Sequence, residues 1–418
     1  MDFERKTLGE ISINGKGEYG IAAPAVNYDP QKRTYLRITD INDDGTLNLS
    51  DRKSVEGENL EKYILKENDI VFARTGASTG RNYFYEKADG EFVFAGFLIK
   101  FSIDPRKVNP RFVKYYCLSQ EYAGWIQSFS TGSTRGNINA QTLANMELRL
   151  PPRDYQNRAV EILSSIDKKI AENRAINHNL LQQAKAIFDE WFIKIPQSTQ
   201  DTLKITPLGY FPDSFSVVKT GELPIVVADY VANGSFASLK ENVKLYQSKN
   251  YAYFIRNTDL KSGSFEVFVD KHSYDFLSKS RLFGGEIIIS NVGDVGSVFL
   301  CPTLDAPMTL GNNIIMIKSD IPELRLFLYI WFKWSLGQGL IQGIKSGSAQ
   351  PKFNKTDFKN LPIILPPSEL LQKFNSTVSP IFEMIERNDN ENRKLSSLRD
   401  SILPKLMSGE IDVSEVEV

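Results

Sequence analysis

Histidine and cysteine are nearly missing from the 418-residue chain: two of each, at His178, His272, Cys117 and Cys301. Two cysteines cannot build a disulfide framework, and a reducing compartment is the default for so thiol-poor a chain. So few imidazoles and thiols also argue against a zinc centre or a Cys–His nucleophile. Excess charge is missing too, with 50 basic against 51 acidic side chains. That excludes a chain held on nucleic acid by bulk charge, while leaving local basic patches open. No apolar run approaches the 18 or so residues that a membrane span needs, and Met1-Asp-Phe-Glu-Arg-Lys6 starts no apolar signal core. The expectation is a soluble, cytoplasmic protein.

What the chain has is a copy of itself. Tyr35-Leu-Arg-Ile-Thr-Asp-Ile41 returns as Phe254-Ile-Arg-Asn-Thr-Asp-Leu260. Asp69-Ile-Val-Phe-Ala-Arg-Thr-Gly76 returns as Glu286-Ile-Ile-Ile-Ser-Asn-Val-Gly293. Ser130-Thr-Gly-Ser133 returns as Lys345-Ser-Gly-Ser348, and the stretch from Asn139 to Leu150-Pro-Pro152 as that from Asn354 to Leu365-Pro-Pro367. The offset drifts only from 219 to 215 residues. A period this long is a duplicated domain pair, since solenoid units run about 20–50 residues.

Each half opens with short apolar runs between turn residues and closes with a helical stretch. Asp69–Ala73, Phe92–Phe94, Phe97–Phe101, Glu286–Ser290 and Ile314–Ile317 read as strands. Phe112–Trp125 and Pro322–Ser335 read as helices, so the opening parts are mixed α/β. After each Leu-Pro-Pro the pattern turns helical, over Asp154–Phe192 and Ser368–Met407. Steps of three and four from Leu163 and from Val378 give two matched seams of mostly apolar residues. Asn173 and Asn177 fall at the same seam steps as Asn388 and Asn392. A polar seam residue costs stability and fixes register. The midpoints Asn177 and Asn392 are expected to meet if the seams pair antiparallel. Ser379-Pro380 is expected to restart the second helix, and Pro404 to end or kink it. The expected fold class is α/β (α+β): two mixed domains and two long helices with coiled-coil seams, in a pseudo-two-fold internal repeat. The expected divisions are 1–150, 151–194, 195–365 and 366–418.

Catalytic signatures are missing. There is no GxxxxGK[ST] phosphate loop, no Asn-Pro-Pro-Tyr or Asp-Pro-Pro-Tyr element and no HExxH helix. His272 has no sequence context for catalysis. The chain reads as a binding module. Lys345, Lys352, Lys355 and Lys359 bracket one Ser/Gly loop, and Arg135 sits in its counterpart. Polar and basic side chains on such loops suit phosphates and base edges.

The pattern resembles the specificity (S) subunit of type I restriction-modification enzymes over essentially the whole chain. The resemblance rests on Tyr35–Ile41, Thr75-Gly-Ala-Ser-Thr-Gly80, Leu150-Pro-Pro152 with Gln156, Phe188-Asp-Glu-Trp-Phe192, and the tail Leu398–Ile411. It implies two target-recognition domains, each reading half of a bipartite double-stranded DNA site. It implies that the two long helices join the domains as an antiparallel coiled coil, a spacer that docks two methyltransferase (M) subunits, with nuclease/translocase (R) subunits joining them. S-adenosylmethionine, ATP and magnesium would then sit on those partners and none on this chain. The second half departs in lacking a close match to Tyr19-Gly20, and its turn Asn291–Gly296 differs from Arg74–Gly80. The halves are therefore expected to read different sequences.

The candidate DNA-binding residues are Arg37, Thr39, Arg74, Thr75, Arg81, Ser133, Thr134, Arg135 and Asn137 in the first domain. In the second they are Arg256, Asn257, Asn291, Lys345, Ser348, Gln350 and Lys352. Arginine is the usual bidentate reader of guanine, and Asn or Gln of adenine. Arg37 and Arg256 share one repeat position, and each could instead pair with its following Asp40 or Asp259. The alternatives are a stand-alone DNA methyltransferase or nuclease, which the missing motifs oppose, and a scaffold or DNA-mimicking inhibitor. A mimic should be strongly acidic, and this chain is not.

Overall fold

The structure, a computed structural model, describes residues 2–129, 137–194, 202–347 and 350–413. The chain divides into two compact units, Met1–Ile170 with Leu395–Val418, and Ala171–Lys394. Both divisions fall inside the long helices Arg153–Phe188 and Ser368–Ser408. Each unit thus owns a segment of both helices. Among the described residues no helix is long and apolar enough to cross a membrane.

In the first unit, an antiparallel sheet runs in the order Glu18–Tyr19, Leu98–Ser102, Asp69–Ala73, Asn82–Phe84. A second sheet runs Ala25–Asn27, Lys53–Val55, Arg33–Leu36, Phe92–Phe94, its last pair parallel. The apolar run Asp69–Ala73 is buried throughout, as a central strand covered on both faces should be. Asp69 begins it with its carboxyl accepting from Lys66 N at 2.8 Å and Ser102 Oγ at 2.5 Å. Burial pushes that carboxyl up from its ordinary pKa. The stretch expected as one helix over Phe112–Trp125 is two, Pro110–Tyr116 and Gln120–Gln127. Ser119 makes the break: its hydroxyl accepts from Tyr122 N, which starts a new helix.

The second unit repeats the plan. One sheet runs Ile225–Asp229, Ile314–Ser319, Ile287–Ser290, Val298–Leu300. The other has five strands, with Ala252–Ile255 parallel to Met308–Leu310 as Arg33–Leu36 is to Phe92–Phe94. The helix Pro322–Lys333 ends at Trp334, and a separate helix Ser335–Gly343 follows.

The helix seams pack inside the units. In the first, Leu163 shares a core with Leu403, Leu406, Met407 and the sheet residues Phe72 and Phe101. Tyr155 Oη donates to Leu406 O and Ile411 O, tying down the chain's last turn. Arg399 reaches Asp167 at 3.1 Å, and Asp167 also accepts from Tyr115 Oη at 2.8 Å. In the second unit, Phe188, Phe192, Phe327 and Phe374 form an aromatic cluster with ring centroids 4.9–5.8 Å apart. Burying rings of this kind contributes about 1.5–3 kcal/mol each.

The buried asparagines pair antiparallel in the second unit, one helical step away from the expected match. Asn173 Nδ2 donates to Asn392 Oδ1 at 3.0 Å, and Asn388 Nδ2 donates to Asn177 Oδ1 at 2.8 Å. Asn177 Nδ2 also donates to Asp389 at 2.8 Å, and Asn173 Nδ2 to Glu391 at 2.7 Å. Asn177 and Asn392 thus belong to different pairs. The prolines correct a second expectation. The helix Ser368–Ser408 runs through Pro380 without a restart and does not end at Pro404. Each proline leaves a carbonyl four residues back without its helical donor. Those carbonyls belong to Ser376 and Asp400, both exposed residues.

Candidate DNA-reading edges

In each unit the turn after the central strand is bridged to the segment that follows the Ser/Gly loop. Thr75 forms an isolated antiparallel bridge with Asn137, and Val292 with Lys352. In the first unit Ile138 N donates to Arg74 O at 2.9 Å. In the second, Phe353 N donates to Asn291 O at 3.0 Å and Gly293 N to Pro351 O at 2.8 Å. Lys352 N and O also pair with Ser346, closing a small hairpin. The fold therefore gathers Arg74, Thr75 and Asn137 on one edge. It gathers Asn291, Lys345, Gln350 and Lys352 on its equivalent. Asn137, Lys345, Gln350 and Lys352 are exposed there. Ser133, Thr134, Arg135 and Ser348 lie outside the described residues.

The arginines divide sharply. Arg37 donates through Nε and a terminal nitrogen to Asp40 at 3.0 and 2.6 Å, and to Asp51 O at 2.7 Å. Arg256 does the same to Asp259 at 3.0 and 2.5 Å. Both aspartates are buried, and each also accepts from the backbone N of its own arginine. These pairs hold the strand-to-helix corner in both units, so the two guanidiniums are committed internally. Arg81 is likewise tied to Asp43 at 2.7 and 3.1 Å and to Ile41 O. Thr39 lies exposed in the short 3-10 turn Ile38–Asp40.

Arg74 differs. Its guanidinium lies 5.0 Å from the Tyr19 ring centroid, and Tyr19 Oη accepts from Ala140 N at 3.1 Å. Its Nε is buried without a hydrogen-bond partner. At the equivalent position Asn291 Oδ1 is also buried and unpartnered, while its Nδ2 reaches Phe353 O at 3.4 Å. Asn257 Oδ1 is a third such atom, its Nδ2 facing Asp294 at 3.5 Å. A stranded polar atom costs about 1–3 kcal/mol, and three fall on the same two edges.

Sequence reasoning missed Tyr19 as the platform under Arg74. It also missed Lys261, which holds Asp294 at 2.6 Å on the second edge. Lys333 was missed as well. It packs its ammonium 5.3–5.9 Å from the rings of Phe299, Tyr329 and Trp334, and donates to Val298 O at 2.9 Å. Burial pushes its pKa down to about 8. Tyr19 and Lys261 have no local signal, because Arg74 and Asp294 are distant in sequence; Lys333 has Tyr329 and Trp334 beside it, but its acceptor Val298 O and the Phe299 ring are distant. Gly76-Ala-Ser-Thr-Gly80 has the GxSxG spacing of a nucleophile elbow. Ser78 instead sits in a 3-10 turn between antiparallel strands, without the strand-to-helix setting that chemistry needs. His272 Nε2 faces Asn242 Oδ1 at 3.3 Å rather than a nucleophile. No group of three metal-ligating side chains occurs among the described residues.

A family model described as the type I restriction modification DNA specificity domain matches residues 1–182 and 227–397. The specificity subunit of the type I restriction enzyme MjaIX of Methanocaldococcus jannaschii is 27% identical over 320 residues, 74% of this chain and 71% of its own. The HindI specificity subunit of Haemophilus influenzae is 22% identical, with 98% of this chain and 100% of its own covered. The crystal structure of a type I restriction-modification S subunit from M. genitalium superposes with a TM-score of 0.51 at 15% identity. It covers 97% of this chain and 96% of that one, a likeness of fold.

Proposed function

Because the chain belongs to the type I restriction-modification DNA specificity family, whose subunits recognise sequence and carry no catalysis, we propose that each of its two edges reads one half of a bipartite duplex site. The observation that carries this reading is the duplicated bridge, Thr75 to Asn137 and Val292 to Lys352. It gives one chain two equivalent edges with different side chains, which suits two half-sites of different sequence. Arg74 braced on Tyr19 suits a guanine edge, and the exposed Lys345 and Lys352 suit phosphates. A near-neutral chain suffices where partner subunits supply further phosphate contacts.

In this reading the paired long helices set the gap between half-sites and dock two methyltransferase subunits, which nuclease/translocase subunits join. S-adenosylmethionine, ATP and magnesium belong to those partners, and the complex works in the cytoplasm. The test is a domain exchange. Residues 1–150 are replaced by the corresponding part of another family member, and the methylation motif of the assembled complex is sequenced. One half of the motif changes and the other persists. A motif altered in both halves, or in neither, refutes the assignment. The purified chain alone, given plasmid and S-adenosylmethionine, transfers no methyl groups.

A further inference from the structure

Each turn is held at its far end as well, by a side chain from the neighbouring helix. Tyr122 Oη donates to Gly80 O at 2.6 Å, and Gln338 Nε2 donates to Gly296 O at 2.7 Å. Gly80 and Gly296 are 216 residues apart, as are Tyr122 and Gln338. Both glycines close their turns in the left-handed region, at φ +90° and +97°. Each N–H returns 2.9 Å to the end of the central strand, at Ala73 O or Ser290 O. A second tie joins the same elements. Asn82 Nδ2 donates to Cys117 O at 2.8 Å, and Lys333 Nζ donates to Val298 O at 2.9 Å. Asn82 and Val298 share the 216 offset, as do Cys117 and Lys333, so the link persists with donor and acceptor elements exchanged.

The side chains have changed completely between the halves, yet the bonded positions have not. Packing alone would keep shape, not a hydrogen bond to one particular carbonyl. Glycine in this region is the pivot on which the last limb of the turn can swing. Its first limb is already fixed by the bridge to Asn137 or Lys352. We propose that Tyr122 and Gln338 are positioning residues, each latching one reading turn so that its tip meets the base edges in a fixed geometry. The proposal rests on the reading of these turns as half-site readers. Base discrimination depends on paired hydrogen bonds of narrow geometry, so a loosened turn loses selectivity before it loses contact with DNA.

The test uses the full chain assembled with its methyltransferase subunits, and compares methylation of DNAs altered at single positions of either half-site. Tyr122→Phe removes the latching hydroxyl and keeps the ring. Gln338→Leu and Gln338→Glu remove the donor at similar size. Tyr122→Phe lowers discrimination in the first half-site about three- to ten-fold, the worth of one buried hydrogen bond, and leaves the second as it was. The Gln338 variants do the reverse. A loss of folding alone, followed by thermal unfolding, lowers methylation on all sequences alike and does not move the ratio. Discrimination unchanged in all three variants, or relaxed equally in both half-sites, overturns the latches while a wild-type bipartite motif still stands. A wild-type complex without a bipartite motif overturns the underlying reading and the latches with it.

Discussion

The asparagine pairs allow a test of helix register at single-residue precision. Asn177 and Asn388 are both buried, and Asn177 accepts the Asn388 amide at 2.8 Å. Asn177→Leu strands that amide, at a cost of about 1–3 kcal/mol. It also withdraws a donor from Asp389, a residue exposed overall whose carboxyl is pushed above its ordinary pKa by burial, so this loss adds to the cost. The added leucine surface returns about 1 kcal/mol, so the net loss is up to about 2 kcal/mol. Asn177→Leu with Asn388→Leu removes both partners of one bond and leaves an apolar pair, so stability returns to near the parent value. Asn177→Leu with Asn392→Leu instead takes one member from each pair: Asn388 loses its acceptor and Asn173 keeps only Glu391, so a loss in the second pair is added to the first and nothing is recovered. Hydrogen exchange of peptides covering residues 171–182 and 383–394, read with urea unfolding, gives the coupling in each double variant. Additive losses in the Asn177/Asn388 double, with recovery in the Asn177/Asn392 double, would falsify this register.

Three other outcomes follow from the geometry. Lys333 has a folded pKa of about 8 against an ordinary 10.5; between those values the unfolded chain holds a proton that the native chain lacks. Stability therefore rises with pH across that window by at most roughly 3 kcal/mol, and in Lys333→Met, followed by urea unfolding from pH 7 to 10.5, that rise disappears; an undiminished rise rules Lys333 out as its source. Arg37→Ala leaves the buried Asp40 without its partner and lowers stability by roughly 3–5 kcal/mol, whereas Arg74→Ala costs roughly 1–3 kcal/mol of base discrimination in the first half-site with little change in unfolding; the reverse pattern, by the same two assays, would reverse the roles given to these arginines. A seven-residue insertion in each long helix adds about 10 Å at 1.5 Å per residue and keeps the same face inward. The methylated motif then gains about three base pairs of spacer or activity is lost, and full activity on the parent spacer with the insertions helical would show that the helices do not measure the site.

The duplication was plain in the sequence because strands, turns and helix seams recur as residue strings. The central strands Asp69–Ala73 and Ile287–Ser290 were legible from apolar runs, since strands buried on both faces leave that trace. Other features depend on surroundings that a string does not carry. Proline disfavours a helix interior, yet the helix runs through Pro380 and Pro404, where the carbonyls left without a donor belong to exposed residues. The Asn rows marked a polar seam, but two registers one step apart both set Asn beside Asn. Arg37 and Arg256 looked as much like readers as like ion-pair partners, and only the burial of Asp40 and Asp259 separates the two. For Arg74, the braced posture comes from Tyr19, 55 residues earlier in the chain.

Both native thiols are sealed inside the protein. Cys117 and Cys301 are buried, and desolvation drives each well above the ordinary thiol pKa. A maleimide reacts with thiolate at the surface, and neither sulfur offers one. The wild-type chain is thus its own unreactive background for labelling chemistry. A cysteine placed at exposed Ala77, or at exposed Gln350, would be the single site to take a fluorophore or a photo-crosslinker. Under the proposed function, each turn could then report its own encounter with DNA, one at a time, in an otherwise unaltered protein.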